Sequence, residues 1–141
     1  MQITRYTDYS LRTLLYLSGL DNDQLATITE IAEAYDISRN HVVKVVHNLG
    51  KLGYVFTQRG RAGGLRLGME PTDINIGKLM RQLESNLRPV DCEGCPLDQN
   101  CSLFGVLNKA VGAYLQELDK YTLADVIADR STEKQIHFLV Q

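Results

Sequence analysis

All three cysteines of the chain lie in one short segment, CEGCPLDQNC, at Cys92, Cys95 and Cys101. This C-x2-C-x5-C spacing indicates a metal or cluster site, because thiolates favour zinc, cuprous copper or iron-sulfur clusters. A structural zinc site normally has four protein ligands, and the three histidines of the chain lie far from this segment in the sequence. The pair Cys92 and Cys95 can instead act as a thiol switch. From these residues alone, the metal, cluster and thiol interpretations all stay open.

The composition indicates a single domain of ordinary polarity. The chain has 141 residues, of which 44% are hydrophobic and 23% are charged, enough to bury one core. No apolar run approaches the roughly 20 residues of a membrane span, and the start MQITRYTDYS lacks the pattern of a signal peptide. We therefore expect a cytoplasmic protein without a membrane partner. In that reducing compartment, clustered cysteines are more often metal ligands or redox thiols than structural disulfides.

The net charge of −2 hides an asymmetry along the chain. Residues 37–69 contain six Lys or Arg and no Asp or Glu, whereas residues 89–141 contain four basic and eight acidic residues. A basic segment of this kind can face phosphates while the acidic remainder keeps the protein soluble. The six cations of this basic window are Arg39, Lys44, Lys51, Arg59, Arg61 and Arg66.

Three helices are predicted in the first part of the chain. Thr7 is expected to cap the first one, which places Asp8 in its first turn, where the helix dipole favours an anion. Thr27 and Glu30 have the spacing of a capping box for a short second helix. After a turn, Ser38 is expected to cap a third helix. Its apolar residues recur with helical spacing and predict one buried stripe, Val42, Val45, Val46 and Leu49.

The segment GYVFTQRGRAGGLRLG predicts two short strands joined by a glycine-rich loop with basic residues at its tip. We expect positive φ angles at Gly60, Gly63 and Gly64. A fourth helix is predicted over INIGKLMRQLE, and the cysteine segment follows as an irregular loop.

The last part of the chain predicts a long helix from Ser102 to Leu118, because its apolar residues keep helical spacing over about four turns. YTLADVIAD is expected to add one turn or a short helix. QIHFLV is expected to form a strand or a floppy tail.

Two short helices, the second after a tight turn, followed by a hairpin with a basic tip are typical of a winged helix-turn-helix. The expected fold is mainly α with a small β-hairpin wing and a long dimerisation helix. The third helix would enter the major groove of double-stranded DNA, and the wing would reach a minor groove or the flanking backbone. The residues expected to contact DNA are Ser38, Arg39, Asn40, His41 and Lys44 on the helix and Arg59 and Arg61 on the wing.

The long helix from Ser102 to Leu118 is also the expected seam of a homodimer, and the alternative is that its apolar stripe packs on its own domain. A single DNA-binding head offers too few contacts for specific binding, which buries about 1,000 Å² or more of protein surface. Two heads would meet half-sites roughly 34 Å apart, or a multiple of that distance. A palindromic operator is therefore expected.

The chain resembles the NsrR and IscR group of iron-sulfur winged-helix repressors, its NsrR branch most closely, in several motifs that occur in the same order. The resemblance runs from Met1 to about Val126, and its first cysteine interval is shorter here than is usual in the group. The motifs are MQITRYTDYSLRTLLYL, ISRNHVVKVVHNLGKLGYV, RGRAGGLRLG, the cysteine segment and ELDKYTLADV.

The resemblance implies a homodimer that holds one iron-sulfur cluster per subunit and represses transcription until the cluster is damaged. In the NsrR branch the signal is nitric oxide, which reacts with cluster iron, and the regulated genes concern nitric oxide detoxification. The three cysteines of the group map onto Cys92, Cys95 and Cys101, and its fourth ligand, an aspartate contributed by the other subunit, maps onto Asp8. A 4Fe–4S cluster is favoured over 2Fe–2S, because three cysteines and one oxygen can each hold one cluster corner.

Several alternatives stand beside this hypothesis. Asp8 can be only a first-turn acid that the helix dipole stabilises. The sensor can report cluster supply or iron status, as in IscR-like relatives, or oxidation of the thiols without any cluster. An oxidoreductase is not expected, because the CxxC lies outside any βαβ pattern. The expected organisation is a DNA-binding head over residues 1–84, a cysteine loop over 85–101, and a dimerisation helix with a C-terminal tail over 102–141.

Overall fold

The structure is a computed structural model that describes residues 2–21, 23–97 and 101–140. Residues 98–100 of the cysteine loop lie outside the described residues. The helices are α1 (Arg5–Ser18), α2 (Ile28–Ala34), α3 (Arg39–Lys51), α4 (Ile76–Leu83), α5 (Ser102–Leu118), α6 (Leu123–Ile127) and α7 (Arg130–Leu139). The strands are β1 (Val55–Gln58) and β2 (Gly64–Leu67), and Pro71–Asp73 forms a short 3-10 helix. This order confirms the expected class, mainly α with a small β-hairpin.

Helix α1 begins earlier than expected. The residue that caps it is Thr4, whose hydroxyl accepts a hydrogen bond from the backbone N–H of Thr7 at 3.2 Å. The expectation that Thr7 is the cap is therefore wrong, since Thr7 is helical and fully buried. Thr4 also donates its backbone N–H to Glu84 Oε1 at 2.7 Å, which ties the start of α1 to the end of α4. Asp8 lies in the first turn, as predicted.

Helices α2 and α3 form the helix-turn-helix. The capping box of α2 is present, because Thr27 and Glu30 each accept a hydrogen bond from the other's backbone N–H. Asp36 takes a positive φ of 50° in the turn between the two helices. The predicted stripe of α3 is buried, with Val42, Val45 and Leu49 at 0% exposure and Val46 at 6%, and it packs against α1 and α2 in the core.

The wing is an antiparallel pair in which Val55 lies opposite Leu67 and Gln58 opposite Gly64. Ala26, just before α2, joins β2 through hydrogen bonds with Leu65 in both directions, at 2.9 and 2.8 Å. The wing is therefore anchored to the helix-turn-helix at its second strand, where Leu65 is buried.

The glycines of the wing loop act differently from the prediction. Only Gly60 has the expected positive φ, of 109°. A side chain on Gly64 would lie 2.7 Å from Leu25 Cβ and 2.9 Å from the backbone oxygen of Ala26, and one on Gly63 would overlap the backbone oxygen of Gln58. Gly63 and Gly64 are thus required by the close approach of other chain segments and not by their own φ angles.

The end of the chain returns to the head. Asp119, just after α5, accepts hydrogen bonds from Arg81 of α4, one of them 2.7 Å long, and these bonds lower the pKa of Asp119. Leu123 of α6 is buried in the core, and its backbone N–H donates to Ile74 at 2.8 Å. The predicted short helix is confirmed as α6. The expectation of a strand or floppy tail over QIHFLV is wrong, because the first five of these residues belong to α7, whose Ile136 is buried, and Val140 caps the helix.

Within the described part of the chain, no helix is both long enough and apolar enough to cross a membrane.

Candidate nucleic-acid interface and cysteine loop

The exposed face of α3 is polar and contains no acid. Helix α3 begins directly after Ser38, and its first turn carries no Asp or Glu. Burial of the valine stripe on the opposite side fixes the rotation of the helix, so that the polar side chains face away from the core. All the contacts predicted on this helix are exposed here, namely Ser38, Arg39, Asn40, His41 and Lys44. His47, which was not among the predicted contacts, is exposed as well.

Ser38 precedes α3 but does not cap it through its side chain. Its hydroxyl instead shares a hydrogen bond of 3.0 Å with Nδ1 of His41. The His41 ring also lies 5.7 Å from the Tyr9 ring, centroid to centroid. Two contacts from different elements therefore position His41 at the start of α3, and one of them comes from α1, next to Asp8.

The wing tip presents two cations. Arg59 and Arg61 are exposed in the loop between β1 and β2, where the Gly63 N–H donates to the Gly60 oxygen at 3.0 Å and closes a turn. On the outer face of the wing, Arg66 lies opposite Phe56, with its guanidinium carbon 4.7 Å from the ring centroid. A cation held over an aromatic face is attracted by the ring quadrupole, so Phe56 helps to order Arg66.

None of the six cations of the basic window takes part in a salt bridge with any residue that the structure describes. The salt bridges that are present lie elsewhere, between Arg12 and Asp8, Arg81 and Asp119, and Lys120 and Glu117. Because no carboxylate of the described residues pairs with these cations, the window keeps its positive charge for an external anion. Double-stranded DNA is the polyanion whose groove accepts an α-helix.

Removing a cation from this surface has a measurable consequence. We expect Lys44→Ala and Arg59→Ala to weaken operator binding and to reduce the slope of log affinity against log salt by about one for each phosphate that is no longer neutralised, because fewer counterions are released. Titrations of labelled operator at several salt concentrations measure the slope. Lys134→Ala, an exposed lysine of α7 outside the window, is the charge-matched control and should keep the wild-type slope. An unchanged slope in Lys44→Ala or Arg59→Ala would show that the residue does not contact a phosphate.

The cysteine loop connects α4 to α5. Cys92 is half-buried, Cys95 is exposed, and Cys101 is half-buried directly before the first residue of α5. The Cys95 N–H donates to the Cys92 oxygen at 3.1 Å, which closes a tight turn, and Gly94 within it has a φ of 75°. This turn places the two thiols of the CxxC on one short stretch of backbone, and the positive φ explains a glycine between them.

The donor set suits an iron-sulfur cluster in its chemistry, since three thiolates are the ligands that such clusters favour. Among the residues that the structure describes in a single chain, no three His, Cys, Asp or Glu side chains converge into a group that could hold a metal ion. Within the described residues of one chain, the three thiols are therefore not gathered into a complete ligand group.

Asp8 lies on α1, away from the cysteine loop in the sequence. Its carboxylate forms a salt bridge of 2.9 Å with Arg12, one helical turn later. The Arg12 guanidinium carbon is also 5.9 Å from the centroid of the Tyr35 ring, at the end of α2. Burial raises the pKa of Tyr35 to about 12.

The first half of α5 exposes an apolar surface. Leu103 and Val106 are each 61% exposed and Phe104 is 37% exposed, whereas Leu115 in the second half is buried. The helix predicted from Ser102 to Leu118 is thus confirmed, and its N-terminal apolar residues have no core to bury them within the described chain.

Three residues of the candidate nucleic-acid interface, on or beside α3 and the wing, were not predicted as functional. Tyr9 lacks a recognisable signal, because only the packing of α1 on α3 brings it to His41. Arg66 is part of the basic window, yet its place opposite Phe56 requires the strand register. Val43 is the third, since it follows a buried valine in the sequence but is itself exposed.

Comparisons with known proteins agree with this architecture. Residues 3–129 match the Rrf2 family, described as an iron-dependent transcriptional regulator. The chain is 49% identical over 135 residues to the HTH-type transcriptional regulator NsrR of Bacillus subtilis (strain 168), with 92% of each chain covered. It is 45% identical over 141 residues to the HTH-type transcriptional regulator NsrR of Geobacillus kaustophilus (strain HTA426), with 96% of each chain covered.

Two solved structures are similar over most of their length. CymR, the global cysteine regulator of B. subtilis, has a TM-score of 0.74 and 26% identity, covering 89% of this chain and 95% of that chain. IscR of T. potens has a TM-score of 0.74 and 26% identity, covering 92% of this chain and 88% of that chain. The family match is to regulators of transcription, which agrees with the expectation that the chain is not an enzyme. Because the match spans residues 3–129 and includes the helix-turn-helix, the wing and the cysteine loop, the chain belongs to the Rrf2 family of transcriptional regulators.

Proposed function

We propose that this regulator is a homodimeric repressor whose affinity for a palindromic operator is controlled by an iron-sulfur cluster that reacts with nitric oxide. The single observation that carries the proposal is the position of the cysteine loop, between a DNA-binding head and a helix with an exposed apolar face. In this proposal residues 1–84 bind DNA, residues 85–101 sense the signal, and residues 102–141 pair the subunits.

The DNA-binding part of the proposal rests on α3 and the wing. The exposed N-terminal residues of α3 would contact base edges in the major groove, and Arg59 and Arg61 would contact a minor groove or the flanking phosphates. Ser38 and Tyr9 hold the His41 ring in one orientation, which lowers the entropy that His41 would lose on binding. A DNA-binding regulator of this kind would act in the cytoplasm.

The dimer is supported by the N-terminal half of α5. Leu103, Phe104 and Val106 present large exposed apolar side chains near the start of α5, and burying them against a second copy removes that area from water. Two-fold pairing through this helix would place the two α3 helices on half-sites related by the same symmetry, hence a palindromic operator.

In the proposed sensor, Cys92, Cys95 and Cys101 of one subunit and Asp8 of the partner subunit would hold one cluster per subunit, 4Fe–4S in preference to 2Fe–2S. When bound, the cluster supplies iron that nitric oxide attacks. The protein's own contacts suggest how the state of Asp8 could affect DNA binding. Asp8 is adjacent to Tyr9, whose ring contacts His41 at the start of α3. A shift of this part of α1 would therefore change the position of His41 on the DNA-binding surface.

The choice of nitric oxide as the signal is supported by relatives that are named NsrR, at 45–49% identity over most of the chain. We propose accordingly that the regulated genes serve nitric oxide detoxification. A second candidate is a regulator that reports cluster supply or iron status, which the structural similarity to IscR of T. potens favours. A thiol-based repressor without a cluster is a third candidate, because Cys95 is exposed to oxidants.

The proposal is tested with protein isolated under anaerobic conditions. We expect it to contain iron and sulfide, to bind promoter DNA of nitric oxide detoxification genes in a gel shift, and to lose at least about tenfold in affinity on titration with nitric oxide. Binding that responds to iron limitation but not to nitric oxide would select the cluster-supply candidate. Protein that never binds iron, yet changes affinity when Cys92 and Cys95 form a disulfide, would select the thiol candidate.

A further inference from the structure

Val43 interrupts the polar surface of α3. Within α3, every residue of which the structure describes, Val43 is the one large apolar side chain that is exposed, at 43%. Of its four neighbours one turn away on the helix surface, Arg39, Asn40 and His47 are exposed and polar, and Val46 is buried in the core stripe. Val43 therefore lies on the exposed face that is proposed to enter the major groove, on the side of that face that borders the buried stripe.

Neither packing nor helix stability accounts for a valine at this position. The core side of α3 is already filled by other valines and a leucine, and Val43 does not belong to the core cluster. A β-branched residue also has a lower helix propensity than alanine or a long polar side chain. A single exposed valine needs no explanation on an ordinary surface, but here it takes one of the few positions from which a side chain can reach the bases.

The major groove contains one apolar group to which such a side chain is complementary, the C5-methyl of thymine. The polar groups on the base edges are hydrogen-bond donors or acceptors, which the neighbouring Arg39, Asn40 and Lys44 can satisfy and a valine cannot. We propose that Val43 selects a T·A base pair in each half-site through contact of its γ-methyl groups with the thymine C5-methyl. The inference rests on the proposed function, in that α3 must read the major groove.

The size of the effect follows from the burial of one methyl group, which changes affinity by about fourfold. Placing a cytosine or guanine at this pair would cost more, because a polar base edge would then face the valine without a partner. Val43 would thus act mainly by exclusion of wrong bases, while the cations supply affinity that does not depend on sequence.

The test uses the full-length protein, isolated anaerobically, and an operator selected by that protein from a pool of random duplexes. Each thymine of the operator is replaced in turn by deoxyuridine, which pairs like thymine but lacks the C5-methyl. We expect an affinity loss of about fourfold at one symmetry-related position in each half-site. The deoxyuridine penalty at that position should disappear in Val43→Ala, which cannot reach the methyl group.

Val43→Thr is the control variant, because it keeps the branched shape and one γ-methyl and should retain part of the penalty. Val43→Ala should fold normally, since alanine is the better helix former at an exposed site, and thermal unfolding checks this. A selected operator without a T·A pair in its half-sites, a uniform deoxyuridine scan, or the same penalty in Val43→Ala would overturn the inference while the proposed function stands. Failure to bind any duplex would instead overturn the proposed function.

Discussion

Cys95→Ser is expected to yield a folded protein that contains little or no iron and sulfide after anaerobic isolation. The serine hydroxyl is a far weaker ligand than a thiolate, and the CxxC turn would keep only one of its two thiols. Because Cys95 is exposed, its replacement leaves the core intact. We expect operator affinity to fall at least about tenfold, within the usual range of coupling between a ligand site and a distant binding surface. Iron and sulfide assays, visible absorbance and gel shifts measure these effects.

Leu97→Ala is the matched control for this variant. Leu97 lies in the same loop and is 67% exposed, and its side chain has no atom that could ligate iron. Its replacement should therefore leave iron content and DNA affinity unchanged. Loss of iron in both variants would point to general sensitivity of the loop instead of ligation. Full iron content in Cys95→Ser would contradict the proposed ligand set.

The proposed ligation across the dimer can be separated from ligation within one chain by mixing subunits. In a heterodimer of Asp8→Ala with Cys95→Ser, one site would combine three intact cysteines with an intact Asp8 from the partner subunit. We therefore expect this heterodimer to regain one wild-type cluster per dimer, with the wild-type absorbance spectrum and decay rate. Two affinity tags allow the heterodimer to be isolated.

If Asp8 served its own chain, the same heterodimer would contain no intact site, and its spectrum would be that of the Asp8→Ala homodimer. If Asp8 only stabilises α1 as a first-turn acid paired with Arg12, the Asp8→Ala homodimer would already show the wild-type spectrum and decay rate. Each outcome thus selects a different role for Asp8.

Gly77→Ala is expected to lower the free energy of unfolding by about 1–3 kcal/mol, although alanine normally stabilises a helix. Gly77 is buried on α4, where an added Cβ would lie 2.8 Å from the backbone nitrogen of Asp119 and would overlap its carboxylate. Backbone cannot yield as a flexible side chain can, so α4 must move away from the end of α5. Urea denaturation at a fixed protein concentration measures the change, since the proposed dimerisation would make stability depend on concentration.

Gly50→Ala is the matched control, because it makes the same substitution in a helix without the overlap. A Cβ at Gly50 would meet only the Val55 oxygen at 3.7 Å, an ordinary contact. We expect this variant to be as stable as the wild type or more stable, by up to about 1 kcal/mol. Equal stability of Gly77→Ala and Gly50→Ala would show that α4 and α5 do not pack as closely as the structure has them.

The helix-turn-helix was predictable because its signals are local. The capping box of α2 needs only Thr27 and Glu30, which are three positions apart, and both predicted hydrogen bonds are present. The stripe from Val42 to Leu49 follows from helical geometry, and all four of its members are buried. The basic window was found by counting charges along residues 37–69. Its cations stay close together in the fold because these residues form only α3 and the wing.

Most of the predictions that were wrong depended on contacts between residues that are distant in the sequence. Thr7 and Thr4 are equally good caps by residue type, and the bond between Thr4 and Glu84, eighty positions away, helps to hold the start of the helix at Arg5. Gly63 and Gly64 were expected to need unusual φ angles, but the close approach of other backbone segments requires them, Leu25 and Ala26 in the case of Gly64. The last segment forms α7, whose Ile136 is buried where the helix packs against α1. The sequence of this segment alone does not show that contact.

The sequence by itself determined the kinds of chemistry available to this protein: a row of cations and amides on one helix, two arginines on a loop, and three thiols with a short first interval. These depend on residue type and on spacing within a few turns of chain. Only the tertiary structure decided which side chains these groups meet, for example that Tyr9 of α1 contacts His41 of α3 and that Val43 remains exposed among polar neighbours. Such contacts join segments far apart in the chain, and their geometry is set by how the buried faces pack, a property of the whole core and not of any one segment.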